Sequence, residues 1–200
     1  MNVNTRTILE ERLSRAEYPM DFCALALDIL EHGDRTWAEQ VYLKAVKRAR
    51  GLDDRAWILV DGLEKDLCPP AIRDDLIRFL ETRTRPLDRL TAVDTFVSIS
   101  DRPRATKYLA QWAKRARSVE FLTESAEKSW THGLVDKEVM VDWLRRAQAL
   151  CRSQDDWYLV SKAWVRLGYV DEATLAADAY DDLSPDLDDL LITIELLRDL

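Results

Sequence analysis

Glycine and proline are scarce in this 200-residue chain, at five and six residues. A sheet protein of this size needs more turn residues between its short strands, so the scarcity of both favours long helices. No run approaches the ~18 consecutive apolar residues of a membrane helix, and Met1–Glu11 has no apolar stretch followed by a small-residue cleavage site. Neither a membrane span nor a secretory leader is expected. Cys23, Cys68 and Cys151 are far apart, odd in number and in no CxxC or Cys/His zinc spacing, which predicts reduced thiols in a cytoplasmic protein. The glycines are too scattered for GxGxxG or GxxxxGK, and GxSxG is absent. The two histidines, His32 and His132, each precede a glycine. There an imidazole suits the carbonyls and dipole of a helix C-terminus better than it suits a catalytic or metal site. No catalytic residue, metal or cofactor is expected, and the chain reads as a non-enzyme.

Apolar residues make up 47% and charged residues 33%, the balance of a folded chain. An internal period runs through it. Asp34, Asp101, Asp136 and Asp171 each open a similar stretch, with gaps of 67, 35 and 35 residues. As 67 is close to twice 34, one member is missing, near Cys68-Pro69-Pro70. Such a period fits one pair of short helices and two turns. In Asp155–Leu183, Trp157, Val160, Trp164 and Leu167 form one helical stripe, Gly168 ends that helix, and Asp171 opens a second with Leu175, Ala176, Ala179 and Leu183. Asp34 likewise opens a helix with Ala38, Tyr42, Ala45 and Ala49 on one face, and Asp101 one with Ala105, Leu109, Trp112, Ala113 and Ala116. All six prolines fall at expected helix starts or turns, where they avoid the ~3 kcal/mol cost of a helix interior. The pattern predicts twelve helices, at 5–16, 19–32, 35–50, 54–67, 70–83, 87–99, 102–117, 119–132, 136–152, 155–168, 171–182 and 185–198.

Trp157-x2-Val160-Ser161-x2-Trp164 followed by Gly168 resembles the first helix of a tetratricopeptide repeat, and Gly33-Asp34 with Ala38, Tyr42 and Ala45 resembles the second. Asp54–Trp57 with Val60, and Phe22 with Leu25 and Gly33, are weaker copies. The resemblance spans roughly residues 18–183. It implies an all-α, right-handed stack of antiparallel helix pairs, a tetratricopeptide-like α-solenoid of about five 34–35-residue repeats. A HEAT-like stack would share that architecture. The second unit lacks the Gly-Asp turn, and the turns at Gly133 and Gly168 are longer than the one at Gly33. One domain is expected, with a cap at 1–17, repeats over 18–183 and an acidic cap helix at 184–200.

Repeats of this type form a concave face from the first helix of each pair. The resemblance places Arg55, Ile58, Lys65, Tyr158, Lys162 and Arg166 on it, a surface for a peptide or helix of another protein. Basic residues recur as well. Lys47-Arg48-Ala49-Arg50 returns as Lys114-Arg115-Ala116-Arg117 two repeats later, with Arg83, Arg85, Arg145, Arg146 and Arg152 near intervening helix ends. Stacking predicts a basic ridge for an acidic peptide or phosphate, although cations also simply favour helix C-termini. The Asp-Asp pairs fit helix capping. Of the seven tryptophans, Trp57, Trp157 and Trp164 lie on apolar stripes, while Trp130 or Trp143 is a candidate anchor for a partner.

Charge is uneven along the chain. The total is −8, and residues 171–200 hold ten acidic side chains against Arg198, which leaves +1 for the first 170. Helix 185–198 puts Leu187, Leu190, Leu191, Ile194 and Leu197 on one face and Asp186, Asp188, Asp189 and Glu195 on the other. That pattern suits a cap over the last pair. A non-catalytic protein-interaction module is the expected function. The alternatives are a stoichiometric inhibitor or immunity-type protein acting through the acidic end, and a phosphate or nucleic-acid contact through the ridge. Acidic final helices would oppose nucleic acid.

Overall fold

Among the described residues, five with left-handed backbone mark off the chain at near-equal intervals. They are Gly33, Asp66, Ser100, Gly133 and Gly168, with φ of 84°, 53°, 61°, 58° and 77° and spacings of 33, 34, 33 and 35 residues. The helices fall between them in a computed structural model that describes residues 3–82 and 85–181. In chain order they are α1 (Val3–Arg15), α2 (Pro19–Glu31), α3 (Arg35–Arg48), α4 (Leu52–Glu64), α5 (Pro70–Glu81) and α6 (Pro86–Ser98). There follow α7 (Arg102–Arg115), α8 (Val119–His132), α9 (Lys137–Leu150), α10 (Gln154–Arg166) and α11 (Val170–Asp181). Each matches an expected helix to within three residues at either end. The twelfth expected helix, 185–198, lies outside the described residues. No strand occurs among the described residues.

Each left-handed residue follows the end of a helix, in order α2, α4, α6, α8 and α10. Glycine is the ordinary choice there because it has no Cβ to clash. Asp66 and Ser100 take the same conformation without being glycine, and Asp66 supplies the turn for which the second unit has no Gly-Asp. At Asp66 the chain reverses through hydrogen bonds from the Leu67 and Cys68 N–H groups to the Gly62 carbonyl, at 2.7 and 3.0 Å. At Ser100 the Asp101 N–H reaches the Phe96 carbonyl at 2.8 Å. Ser100→Gly is expected to stabilise the protein by about 0.5–1 kcal/mol, since the left-handed region costs an L-residue about 1–2 kcal/mol and glycine gives up more chain entropy. A urea midpoint that rises at unchanged slope checks this, and an unchanged midpoint contradicts it.

The helices gather into two compact units, one within residues 1–101 and one within 102–200. In the first, α2 packs on α3 and α4 on α5, while the first helices α2, α4 and α6 touch in sequence. In the second, α8 packs on α9 and α10 on α11, and α8 lies against α10. This is the paired, all-helical architecture that the sequence predicts, with first helix beside first helix. Small residues make the close approaches possible. A Cβ at Gly62 of α4 would fall 2.2 Å from the Tyr42 hydroxyl oxygen of α3. That hydroxyl is fully buried and donates to the Ile58 carbonyl at 3.0 Å. In the second unit Trp164 is fully buried, with Tyr169 edge-on at 5.3 Å between ring centroids.

A recurring clip joins the start of α3, α7 and α9 to a later left-handed turn. Arg35, the first residue of α3, donates to the main-chain carbonyl of Asp66 and, at 2.9 Å, to its carboxylate. Arg102, the first residue of α7, donates to the Gly133 carbonyl at 2.6 Å. Both span 31 residues. Lys137, the first residue of α9, places its ammonium 4.4 Å from the centre of the Tyr169 ring, beside Gly168. The donors thus sit at equivalent positions and close on equivalent turns.

Candidate partner-binding surfaces

A cleft of about 420 Å³ lies along the first helices of the first unit. Helix α4 turns Ile58, Leu59 and Gly62 into the core, which leaves Trp57 and Val60, half-buried, to line the opening with Ala56. Met20 of α2 flanks them, and α6 contributes Thr91, Asp94, Thr95 and Ser98. The Thr95 hydroxyl donates to its own helix at the Thr91 carbonyl, 2.8 Å away, so its polar group is satisfied within the helix. The lining is mostly apolar, with Asp53, Asp54 and Asp94 at its edge and no lysine or arginine. No cation pairs with Asp53 or Asp54 among the described residues.

The residues expected on this face of α4 lie elsewhere. Ile58 is fully buried, which corrects its expected exposure. Arg55 is two residues from Trp57, about 200° around a helix of 3.6 residues per turn. Its guanidinium sits 3.9 Å from the Phe79 ring centroid of α5, and its Nε–H donates to the Ala49 carbonyl at 3.0 Å. Lys65 caps the C-terminus of α4, exposed, with its ammonium 3.2 Å from Glu64. None of the three lines the cleft.

On α10 of the second unit, Tyr158, Lys162 and Arg166 share one stripe at four-residue spacing. Tyr158 is exposed, and the Lys162 ammonium lies 5.9 Å from its ring centroid. Arg166 is drawn to α8 by an ion pair with Glu127. Trp130, one turn beyond Glu127, is 49% exposed, whereas Trp143 is core at 3%. Of the two candidate tryptophan anchors, only Trp130 offers its ring to solvent.

The basic residues separate by role. In the first unit Lys47 and Arg50 are exposed, while the Arg48 guanidinium covers Phe22 at 4.3 Å. Arg83 lies outside the described residues, and Arg85 sits at the start of α6 and not at the end of α5. In the second unit Lys114, Arg115, Arg117 and Arg146 line a cleft of about 590 Å³. Arg146 reaches across from α9 to the carbonyls of Ala113, Lys114 and Ala116 at 3.1, 3.4 and 3.2 Å. It therefore caps the C-terminus of α7. Arg145 beside it is exposed.

Burial pushes the Cys23 thiol up to about 12, with Asp61 adding to the shift. It pushes Cys151 up to about 11, with Asp156 adding, and raises Cys68 as well. Thiols held protonated at neutral pH are poor nucleophiles and poor metal ligands. Burial opposes ionisation of Asp156, but the backbone N–H groups of Arg152 and Ser153 and the Ser153 hydroxyl hold it below the usual range. It closes a capping box at the start of α10. Among the described residues no group of three or more His, Cys, Asp and Glu side chains could hold a metal ion, and no helix is long and apolar enough to cross a membrane.

No protein-family profile matches the chain, and no curated protein matches it. Among solved structures it is similar to the crystal structure of a thermophilic TPR protein of Thermus thermophilus, with 17% identity and a TM-score of 0.42 over 91% of this chain and 100% of that one. The helical pairing described above rests on this chain's own turns and contacts.

Proposed function

We propose that the protein is a non-catalytic interaction module, and that the α2/α4/α6 cleft receives a segment of another protein that carries a bulky apolar residue next to lysine or arginine. The observation that carries this reading is the pairing of an apolar floor, Trp57, Val60 and Met20, with a carboxylate edge, Asp53, Asp54 and Asp94, and no basic lining residue. An apolar pocket supplies affinity and a charged edge selects the flanking residues. Met20 suits an adaptable contact, since its flexible thioether chain fits many shapes, and Trp57 supplies a large rigid apolar face.

The test uses the intact chain and fluorescently labelled peptides of about 12 residues, long enough to cross a helical groove. Peptides with a central leucine or phenylalanine and flanking lysines are expected to bind at least about tenfold tighter than the same peptides flanked by aspartates, a gap of about 1.4 kcal/mol. Asp53→Lys/Asp54→Lys is expected to reverse that order. Equal binding of both peptide sets, or an order unchanged by the charge reversal, rejects the cleft as the site.

A further inference from the structure

We propose that the basic cleft between the C-terminal ends of α7 and α9 is a binding site for the chain's own acidic C-terminal segment, residues 184–200. The cleft lies wholly within the second unit and is independent of the α2/α4/α6 site. Its charge is uncompensated: Lys114, Arg115 and Arg117 line it, and no acidic side chain pairs with them among the described residues. The fourth cation, Arg146, is occupied in a useful way. The end of α7 would present free carbonyls and the negative pole of the helix dipole to any incoming anion. Arg146 covers three of those carbonyls, so the cleft keeps the full effect of the other three cations.

The cleft is not purely ionic. Ala149 and Leu150 of α9, with Ala116, form an apolar floor. A bare phosphate uses only the rim of such a site, whereas an amphipathic acidic segment uses both parts. Residues 184–200 have that chemistry, with Asp186, Asp188, Asp189 and Glu195 beside Leu187, Leu190, Leu191 and Ile194.

The topology brings the two together. Helices α8/α9 and α10/α11 are hairpins of antiparallel neighbours joined by short turns. Helices α9 and α11 therefore run in the same direction and end at the same edge, where the cleft opens. The chain leaves α11 at Asp181, and packed helices lie about 8–10 Å apart. Even wound as a helix, the remaining 19 residues reach about 28 Å at ~1.5 Å per residue. A segment tethered so closely is present at roughly millimolar effective concentration, which an external acid must outcompete.

Hydrogen exchange on the full-length chain tests this. At about 20 mM salt, Arg115→Glu/Arg117→Glu is expected to speed amide exchange across 184–200 by at least roughly tenfold. Adding Asp186→Lys/Asp188→Lys to that variant is expected to restore most of the protection. Should the glutamate variant unfold by circular dichroism, the unaltered chain gives the same reading: raising salt to about 0.5 M is expected to speed exchange in 184–200 and leave α8–α10 unchanged. Exchange in 184–200 that is insensitive to both the cleft charges and salt overturns the proposal. So does a charge swap that restores nothing, or protection that rises with protein concentration, which would place a second copy's segment in the cleft. Binding of a single-stranded oligonucleotide to the intact chain, abolished by the same cleft substitutions, overturns it in favour of a phosphate ligand.

Discussion

Gly62→Ala is expected to destabilise the first unit by about 1–3 kcal/mol, the cost of forcing atoms into a filled core. The added methyl would lie 2.2 Å from the Tyr42 hydroxyl oxygen and 2.5 Å from the ring carbon that bears it. Relief by rotation is closed off, because Tyr42 is fully buried and its hydroxyl is tied to the Ile58 carbonyl. The expectation runs against simple helix propensity, since alanine in a helix interior is otherwise worth about 0.5–1 kcal/mol over glycine. A double-mutant cycle separates the two effects. In a Tyr42→Ala background, itself costing about 3–5 kcal/mol if it behaves like other buried aromatics, Gly62→Ala should become neutral or stabilising. Strict additivity in urea denaturation would show that the Tyr42–Gly62 contact is not what excludes a side chain at position 62.

Trp164→Ala is expected to cost about 3–5 kcal/mol, the range for truncating a large buried aromatic. Among the described residues Trp164 is the largest fully buried side chain, at the heart of α10. Trp164→Phe should cost distinctly less. It keeps a ring for Tyr169 to meet edge-on and removes an indole N–H that is buried without a hydrogen-bond partner, so part of the lost volume is offset by the lost desolvation penalty. Thermal unfolding of the three chains gives the order. Alanine and phenylalanine variants of equal stability would contradict it.

The helices were legible because their ends carry local chemistry. Asp34 accepts the Trp37 N–H at 3.1 Å, Ser153 and Asp156 form a capping box, and Pro19, Pro70 and Pro86 each sit in a first turn. The repeat was half legible. Gly33, Gly133 and Gly168 announce their left-handed turns, but Asp66 and Ser100 do not, because the fold imposes that conformation on residues that do not favour it alone. The surfaces were harder to read. On α4, Trp57 and Ile58 are neighbours about 100° apart on the helix, and both are apolar. A first helix is buried on one side by its partner and on others by adjacent first helices, so composition does not say which apolar side stays open. Ile58 faces the core and Trp57 the cleft, the reverse of the sequence reading. On α10 the distinction was easier, because polar Tyr158, Lys162 and Arg166 contrast with Val160 and Trp164.

The clips at Arg35 and Arg102 close on main-chain carbonyls, at Asp66 in one case and Gly133 in the other. A main-chain acceptor is present whatever residue occupies the turn. The main-chain part of the joint therefore asks nothing of the receiving sequence beyond its backbone shape, and its donor is the first residue of α3 in one case and of α7 in the other. Such a seam suits recombination. A stretch of about one period could be duplicated or excised between two left-handed turns, and a donor from one repeat would still find its acceptor in the next.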